Sequence, residues 1–114
     1  MLSCNGCKIH LKIFSHTWDP FQIQVFIPAI HARTERLTFN YEGEQRLVTI
    51  EGKQCNKYRW SFKTWKLVGN DWIPAKEKKV KLEGDGWIDV FIDNEYMPSL
   101  QNRFNIFCSE GLCS

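Results

Sequence analysis

The sequence predicts an all-β domain, two antiparallel sheets packed as a sandwich of about seven to nine strands. Three observations carry that expectation. Apolar residues recur at every second position in short runs, and glycine, proline, aspartate and asparagine punctuate those runs. No stretch keeps the period of an α-helix. An alternating run buries one face of a strand and leaves the other to solvent, so the runs read as half-buried strands.

Residues 8–14 set Ile9, Leu11 and Ile13 against Lys8, His10 and Lys12. Residues 16–20 then turn, and Pro20, which lacks an amide hydrogen, blocks continuation of the ladder. Residues 21–27 alternate again, with Phe21, Ile23, Val25 and Ile27 against Gln22 and Gln24, until Pro28. These runs read as an N-terminal hairpin extension over residues 1–28, or as the first two strands of the main body. Residues 29–35 form a connector. Residues 37–41 and 46–51 are expected to pair as a hairpin around Glu42, Gly43 and Glu44, where Gly43 can take positive φ. Residues 58–67 make a longer strand whose apolar side switches between Phe62 and Trp65, which predicts a bulge. Residues 68–71 turn. Gly84 and Gly86 predict a tight turn between strands at 80–82 and 87–92, and residues 104–108 supply the last strand. At most a short turn is expected near residues 97–102. The whole is a single domain over residues 1–114, an immunoglobulin-like sandwich.

The size and charge of the chain narrow the function classes. A chain of 114 residues can bury one core. Aromatic residues reach 14% and include five tryptophans, and a few such side chains fill a small sandwich because each can bury about 150–250 Å². A formal charge of +2 argues against nucleic acid, whose binders carry a dense basic stripe. Lys76, Lys78, Lys79 and Lys81 are diluted by Glu77 and Glu83 and read as a solvated sheet edge. No apolar run is long enough for a membrane-spanning helix. The expectation from the N-terminus is that no signal peptide is present. Leu2, Ser3, Cys4 and Asn5 resemble the end of a lipoprotein signal but lack its preceding apolar segment, and accident is the favoured reading.

The order of Leu37, Phe39, Gly43, Val48, Ile50, Trp60, Trp72, Ile73, Gly84, Gly86, Val90, Ile92, Asn94, Arg103 and Ile106 resembles the BACON domain. That family is an immunoglobulin-like module common in proteins of Bacteroidetes and of bacteriophages that infect them. The likeness spans about residues 36–108. The chain departs from the pattern in its N-terminal strands, in the insertion between Trp60 and Trp72, and in its five cysteines. The resemblance implies a non-catalytic sandwich that binds carbohydrate or mucin glycans, or serves as a spacer. In such a frame Trp60 and Trp72 would pack between the sheets, and Asn94 would take a left-handed backbone. Arg103 would bond loop carbonyls or Asp93.

The reactive side chains form no recognisable catalytic set. His10, His16 and His31 have no metal-ligand spacing, and no nucleophile elbow or phosphate loop occurs. Asp85, Asp89 and Asp93 read as solvated carboxylates, because a calcium loop needs denser oxygen ligands. The cysteines leave three possibilities open: free thiols, disulfides, or zinc held by Cys4, Cys7, Cys108 and Cys113. A disulfide between terminal cysteines would leave Cys55 odd. No cofactor and no resident metal are expected.

The tryptophans are the candidate binding residues. Trp18 falls in a turn, Trp65 near the expected bulge and Trp87 beside a glycine turn. A sugar ring stacks its apolar face on an aromatic plane, and Lys63, Asn70 and Asp71 would bond hydroxyls near Trp65. Trp87, Asp89 and Phe91 face opposite to Ile88, Val90 and Ile92, so the second face calls for a cover: the N-terminal strands or a partner subunit. The expected function is therefore a non-enzymatic binding or adhesion module for glycans at a cell surface. The alternative is a virion structural or capsid-decoration protein that acts by assembly with itself or another protein.

Overall fold

The computed structural model describes residues 6–111 and residue 113. In chain order the strands are β1 (Gly6–Ser15), β2 (Phe21–Ile27), β3 (Ala32–Arg33), β4 (Leu37–Phe39), β5 (Gln45–Lys53), β6 (Trp60–Val68), β7 (Asp71–Ile92) and β8 (Pro98–Ser109). Short 3₁₀ turns lie at Pro28–Ile30 and Cys55–Lys57, and no α-helix occurs among the described residues. The all-β expectation therefore holds.

One sheet runs β5-β1-β7-β8, and the other sets β3 and β4 beside β2, followed by β6 and the first half of β7. Their inner faces share one core. Ile9, Leu11 and Ile13 of β1 and Phe21, Ile23, Val25 and Ile27 of β2 are buried in it, with Trp60, Phe62, Ile88, Val90 and Ile92. We call these the β1 sheet and the β2 sheet.

Several pairings differ from the sequence expectation. β1 and β2 form no hairpin: β1 lies between β5 and β7, and β2 lies between β6 and the short β3 and β4. Each carries a full apolar stripe, and those stripes are satisfied across the core, one from each layer. The two runs are thus the first strands of the body. β1 is also parallel to β7, so the pairing is mixed, not purely antiparallel. β4 and β5 likewise pair with different strands, β2 and β1. The connection between them crosses layers, with Gly43 at φ 90° and its amide donating to the Ser15 carbonyl at 2.9 Å.

The expected turn at Gly84 and Gly86 is instead a bend within one continuous strand. β7 leaves the β2 sheet after pairing with β6 and enters the β1 sheet between β1 and β8. A side chain at Gly84 would collide with the Asn105 carbonyl, and one at Gly86 with the Phe104 carbonyl. The strand can bend against β8 because both positions lack a Cβ. Residues 98–102 belong to β8, not to a short turn.

The predicted bulge is present, as a register shift between Lys63 and Trp65 in β6. It turns Thr64 inward, where its hydroxyl donates to the Tyr96 carbonyl at 2.8 Å and accepts from the Lys76 amide at 3.2 Å. Trp60 is fully buried as expected, but Trp72 sits half-buried on the projecting β6–β7 hairpin, outside the core. Left-handed backbone falls at Tyr96, not at Asn94.

Two disulfides join cysteines among the described residues. Cys7 is joined to Cys55, and Cys108 to Cys113, with Cα–Cα distances of 6.0 Å and 6.2 Å. Cys55 is therefore not the odd cysteine, and the zinc set fails because Cys7, Cys108 and Cys113 are already bonded. Cys4 lies outside the described residues, as does the lipoprotein-like stretch.

Candidate functional site: the outer face of the β1 sheet

Strand alternation fixes which side chains leave the core. In β1, burial of Ile9, Leu11 and Ile13 sends Lys8, His10, Lys12 and Phe14 to the outside. In the parallel register their neighbours on β7 are Asp85, Trp87, Asp89 and Phe91. Trp87 stands opposite Phe104 of β8, and the Asn102 side-chain amide donates to Asp89 at 3.2 Å on the same face.

Aromatic and polar groups therefore share one side of a rigid sheet. Phe14 stacks on Phe91 with centroids 5.0 Å apart, and His16 approaches the same ring at 4.5 Å. The Lys12 ammonium sits 4.4 Å from the centre of the Trp87 ring, an attraction between cation and ring quadrupole. His10 shares a hydrogen bond of 2.9 Å with the Thr49 hydroxyl. Phe104 is 63% exposed. Trp87 and Phe91, four residues apart, are separated by about 13 Å along the strand. Between them lie the Lys12 ammonium, the Asp89 carboxylate and the Asn102 amide, which donate to and accept from hydroxyl groups. Beside Lys12 and Phe14 the face dips into a depression of about 440 Å³ completed by Gln45, Arg46 and Leu47. The N-terminal strand does not cover this face; it is part of it.

The other candidate residues are dispersed. Trp65 and Lys63 lie on the outside of the β2 sheet and line a depression of about 330 Å³ with Pro74, Lys76 and Glu77. There the Arg36 guanidinium already covers one face of Trp65 at 3.9 Å, held by a 3.2 Å bond to Gln22. The Lys63 ammonium lies 5.1 Å from the Phe26 ring. Asn70 and Asp71 are not beside Trp65, whose cross-strand partner is Pro74; they belong to the far turn of the hairpin. Trp18 is in the β1–β2 connection. A larger groove of about 630 Å³ follows the seam between β4 and β5, but its lining holds no aromatic residue.

Sequence reading placed Trp87, Asp89 and Phe91 on one face but missed Phe14, Lys12, Asn102 and Phe104 as its other members. The alternation of residues 8–14 carries the signal for the first two. Phe104 is hidden by a backbone irregularity, because Asn105 takes φ 57° and shifts the side-chain alternation of β8.

The remaining acidic groups are spread apart. Asp85 and Asp89 lie along β7 while Asp93 accepts the Glu95 amide in the next loop. No group of three candidate metal ligands occurs among the described residues. Of the four lysines expected at a solvated edge, Lys76 and Lys79 are exposed on the half of β7 that pairs only with β6 in that sheet. Lys78 is half-buried, and Lys81, also half-buried, lies opposite Ser109 of β8 and pairs with Glu110. No described helix is long and apolar enough to cross a membrane.

No family model and no curated protein matches the sequence. Among solved structures the chain is similar to part of a Gram-negative toxin, at TM-score 0.39 and 15% identity over 87% of this chain and 23% of that one. It is similar to part of the human-specific toxin intermedilysin at TM-score 0.35 and 13% identity, over 86% of this chain and 23% of that one. The chain thus spans less than a quarter of either structure, and neither likeness bears on function.

Proposed function

We propose that this chain is a non-catalytic binding module whose ligand is carbohydrate, taken on the outer face of the β1 sheet. One observation supports this above the rest: Trp87 and Phe104 lie across from each other and Phe14 stacks on Phe91, with Lys12, Asp89 and Asn102 interleaved. Sugar rings are amphipathic, apolar on their C–H faces and ringed by hydroxyls, so they need aromatic planes and hydrogen-bonding side chains on one surface. The depression beside Phe14 adds room for a second ring. The site sits on strands, which hold its groups at fixed spacing. Two disulfides fit an oxidising, extracellular or surface setting.

The experiment is a glycan array probed with the purified, oxidised chain and with Trp87→Ala. Binding by the wild type that is lost in the variant, with unfolding temperature unchanged, supports the reading. Absence of wild-type binding to any glycan rejects it.

Leu47 and Phe104, 64% and 63% exposed on the same face, favour a second reading, assembly with a protein partner as in a virion or decoration subunit. A concentration-dependent rise in sedimentation coefficient that Phe104→Ser abolishes supports that alternative.

A further inference from the structure

We propose that the loop end of the sandwich is a contact tip for a membrane surface bearing choline headgroups. The strand directions bring four connections to this end: residues 16–20, 40–44 and 93–97, and the projecting turn between β6 and β7. Bonds at the base of this end tie the connections to the body of the sandwich. The Gly43 amide bonds the Ser15 carbonyl at the end of β1, the Tyr96 carbonyl accepts from Thr64 of β6, and burial, with the charge of Asp19 added, pushes the Tyr96 hydroxyl above its ordinary pKa.

Loop tips are ordinarily polar, because their backbones are solvated. Here large apolar side chains gather on three of them and on the strand ends of the projecting hairpin. Trp18 is 74% exposed, Tyr41 59%, Val68 48%, Met97 40%, Leu67 39% and Ile73 38%. The other exposed large apolar residues, Leu47, Tyr58, Phe104 and Phe107, are scattered over β5, β8 and the opposite end. A concentration of this kind marks an interaction site.

Shape and charge choose the occupant. The hairpin outruns its neighbour, since β2 pairs with β6 only as far as Lys66, opposite Phe21. Beyond that pair the two strands form ladder bonds only with each other, for about 10 Å. Separate projecting tips leave voids against a rigid partner, whereas a fluid lipid interface closes around them. Trp and Tyr suit that zone because each joins an apolar ring to one polar group. Asn70 and Asp71 at the turn hold the contact at headgroup depth and out of the hydrocarbon, as for elements that bury about 5–10 Å.

The ionic groups of this end are mainly acidic: Asp19, Glu42, Asp71, Asp93 and Glu95 against Lys66, while Glu44 and Arg46 pair with each other. That surplus repels an anionic bilayer. It complements the quaternary ammonium of choline, which exposed Trp and Tyr rings also attract through their faces.

The test is flotation of the full oxidised chain with phosphatidylcholine vesicles and, in parallel, phosphatidylglycerol vesicles. Binding to the first and not the second is expected, with little change on adding salt. Trp18→Ser and Tyr41→Ser, both in exposed positions, are each expected to weaken binding about tenfold, while Trp87→Ala leaves it unchanged. No flotation of the wild type with phosphatidylcholine, binding by both loop variants undiminished from that of the wild type, or a requirement for anionic lipid overturns the proposal. So does a self-associated wild type that Trp18→Ser converts to monomer without any vesicle binding.

Discussion

The indole nitrogen of Trp60 donates to the carbonyl oxygen of Cys55 at 2.9 Å, and Cys55 is itself joined through sulfur to Cys7. Trp60 begins β6 in one sheet and Cys7 lies in β1 of the other, so the 3₁₀ turn at Cys55–Lys57 fastens the two layers at the end opposite the loop tips. Both cysteines are buried. This anchor leaves the outer face of the β1 sheet undisturbed.

The first prediction concerns that anchor. The Cys7–Cys55 bond closes a loop of 48 residues, and Cys108–Cys113 one of 5. Replacing both Cys7 and Cys55 by alanine is expected to lower stability by about 3–4 kcal/mol, and the corresponding change at Cys108 and Cys113 by about 2 kcal/mol or less. Urea unfolding of the two double variants measures the difference, and equal losses would show that loop size is not what matters.

Trp60→Phe removes the donor to the Cys55 carbonyl and leaves space in the core. Both effects destabilise, together by about 2–4 kcal/mol. The loss is readable as a drop in urea midpoint, and a neutral result would mean that water satisfies the carbonyl.

Two glycine substitutions separate backbone crowding from side-chain crowding. A Cβ at Gly86 meets the Phe104 carbonyl, part of a strand ladder that cannot yield. One at Gly52 meets the end of the Ile30 side chain at 2.9 Å, which can rotate away. Gly86→Ala is expected to cost more than about 2 kcal/mol and Gly52→Ala less than about 1 kcal/mol. Thermal unfolding of the pair checks the order.

Much of the fold is legible in the chain, because alternation is a local signal. The stripes Ile9-Leu11-Ile13 and Phe21-Ile23-Val25 announce buried strand faces, and the clash of parity between Phe62 and Trp65 announces the bulge. What alternation does not carry is partnership. A strand that pairs with its sequence neighbour and one that faces it across the core have the same pattern, which is why β1–β2 and β4–β5 read as hairpins. Gly84 and Gly86 read as a turn because glycine marks turns and close backbone approaches alike. The candidate site was half legible. Trp87, Asp89 and Phe91 declare an outer face, but the lateral neighbours Lys12, Phe14 and Phe104 follow only from register.

A pH effect follows from Glu44. Burial alone would raise its pKa, but the Asn40 amide at 2.8 Å and the Arg46 guanidinium at 3.0 Å outweigh this and hold the carboxyl below its ordinary value. A depressed folded-state pKa contributes stability above the ordinary carboxylate pKa, and that contribution is lost as pH falls through the folded value. Glu44→Gln should therefore lower the unfolding temperature at pH 7 and have a smaller effect near pH 3. An equal loss at both pH values would contradict the assignment.

Native electrophoresis in mucin-containing gels, comparing the wild type with Trp87→Ala and Trp65→Ala, tests the central claim most directly. The account predicts retardation of the wild type and of Trp65→Ala, which lies on the other sheet, and free mobility of Trp87→Ala. Free mobility of all three proteins, or a loss of retardation in Trp65→Ala alone, would contradict carbohydrate recognition by the outer face of the β1 sheet.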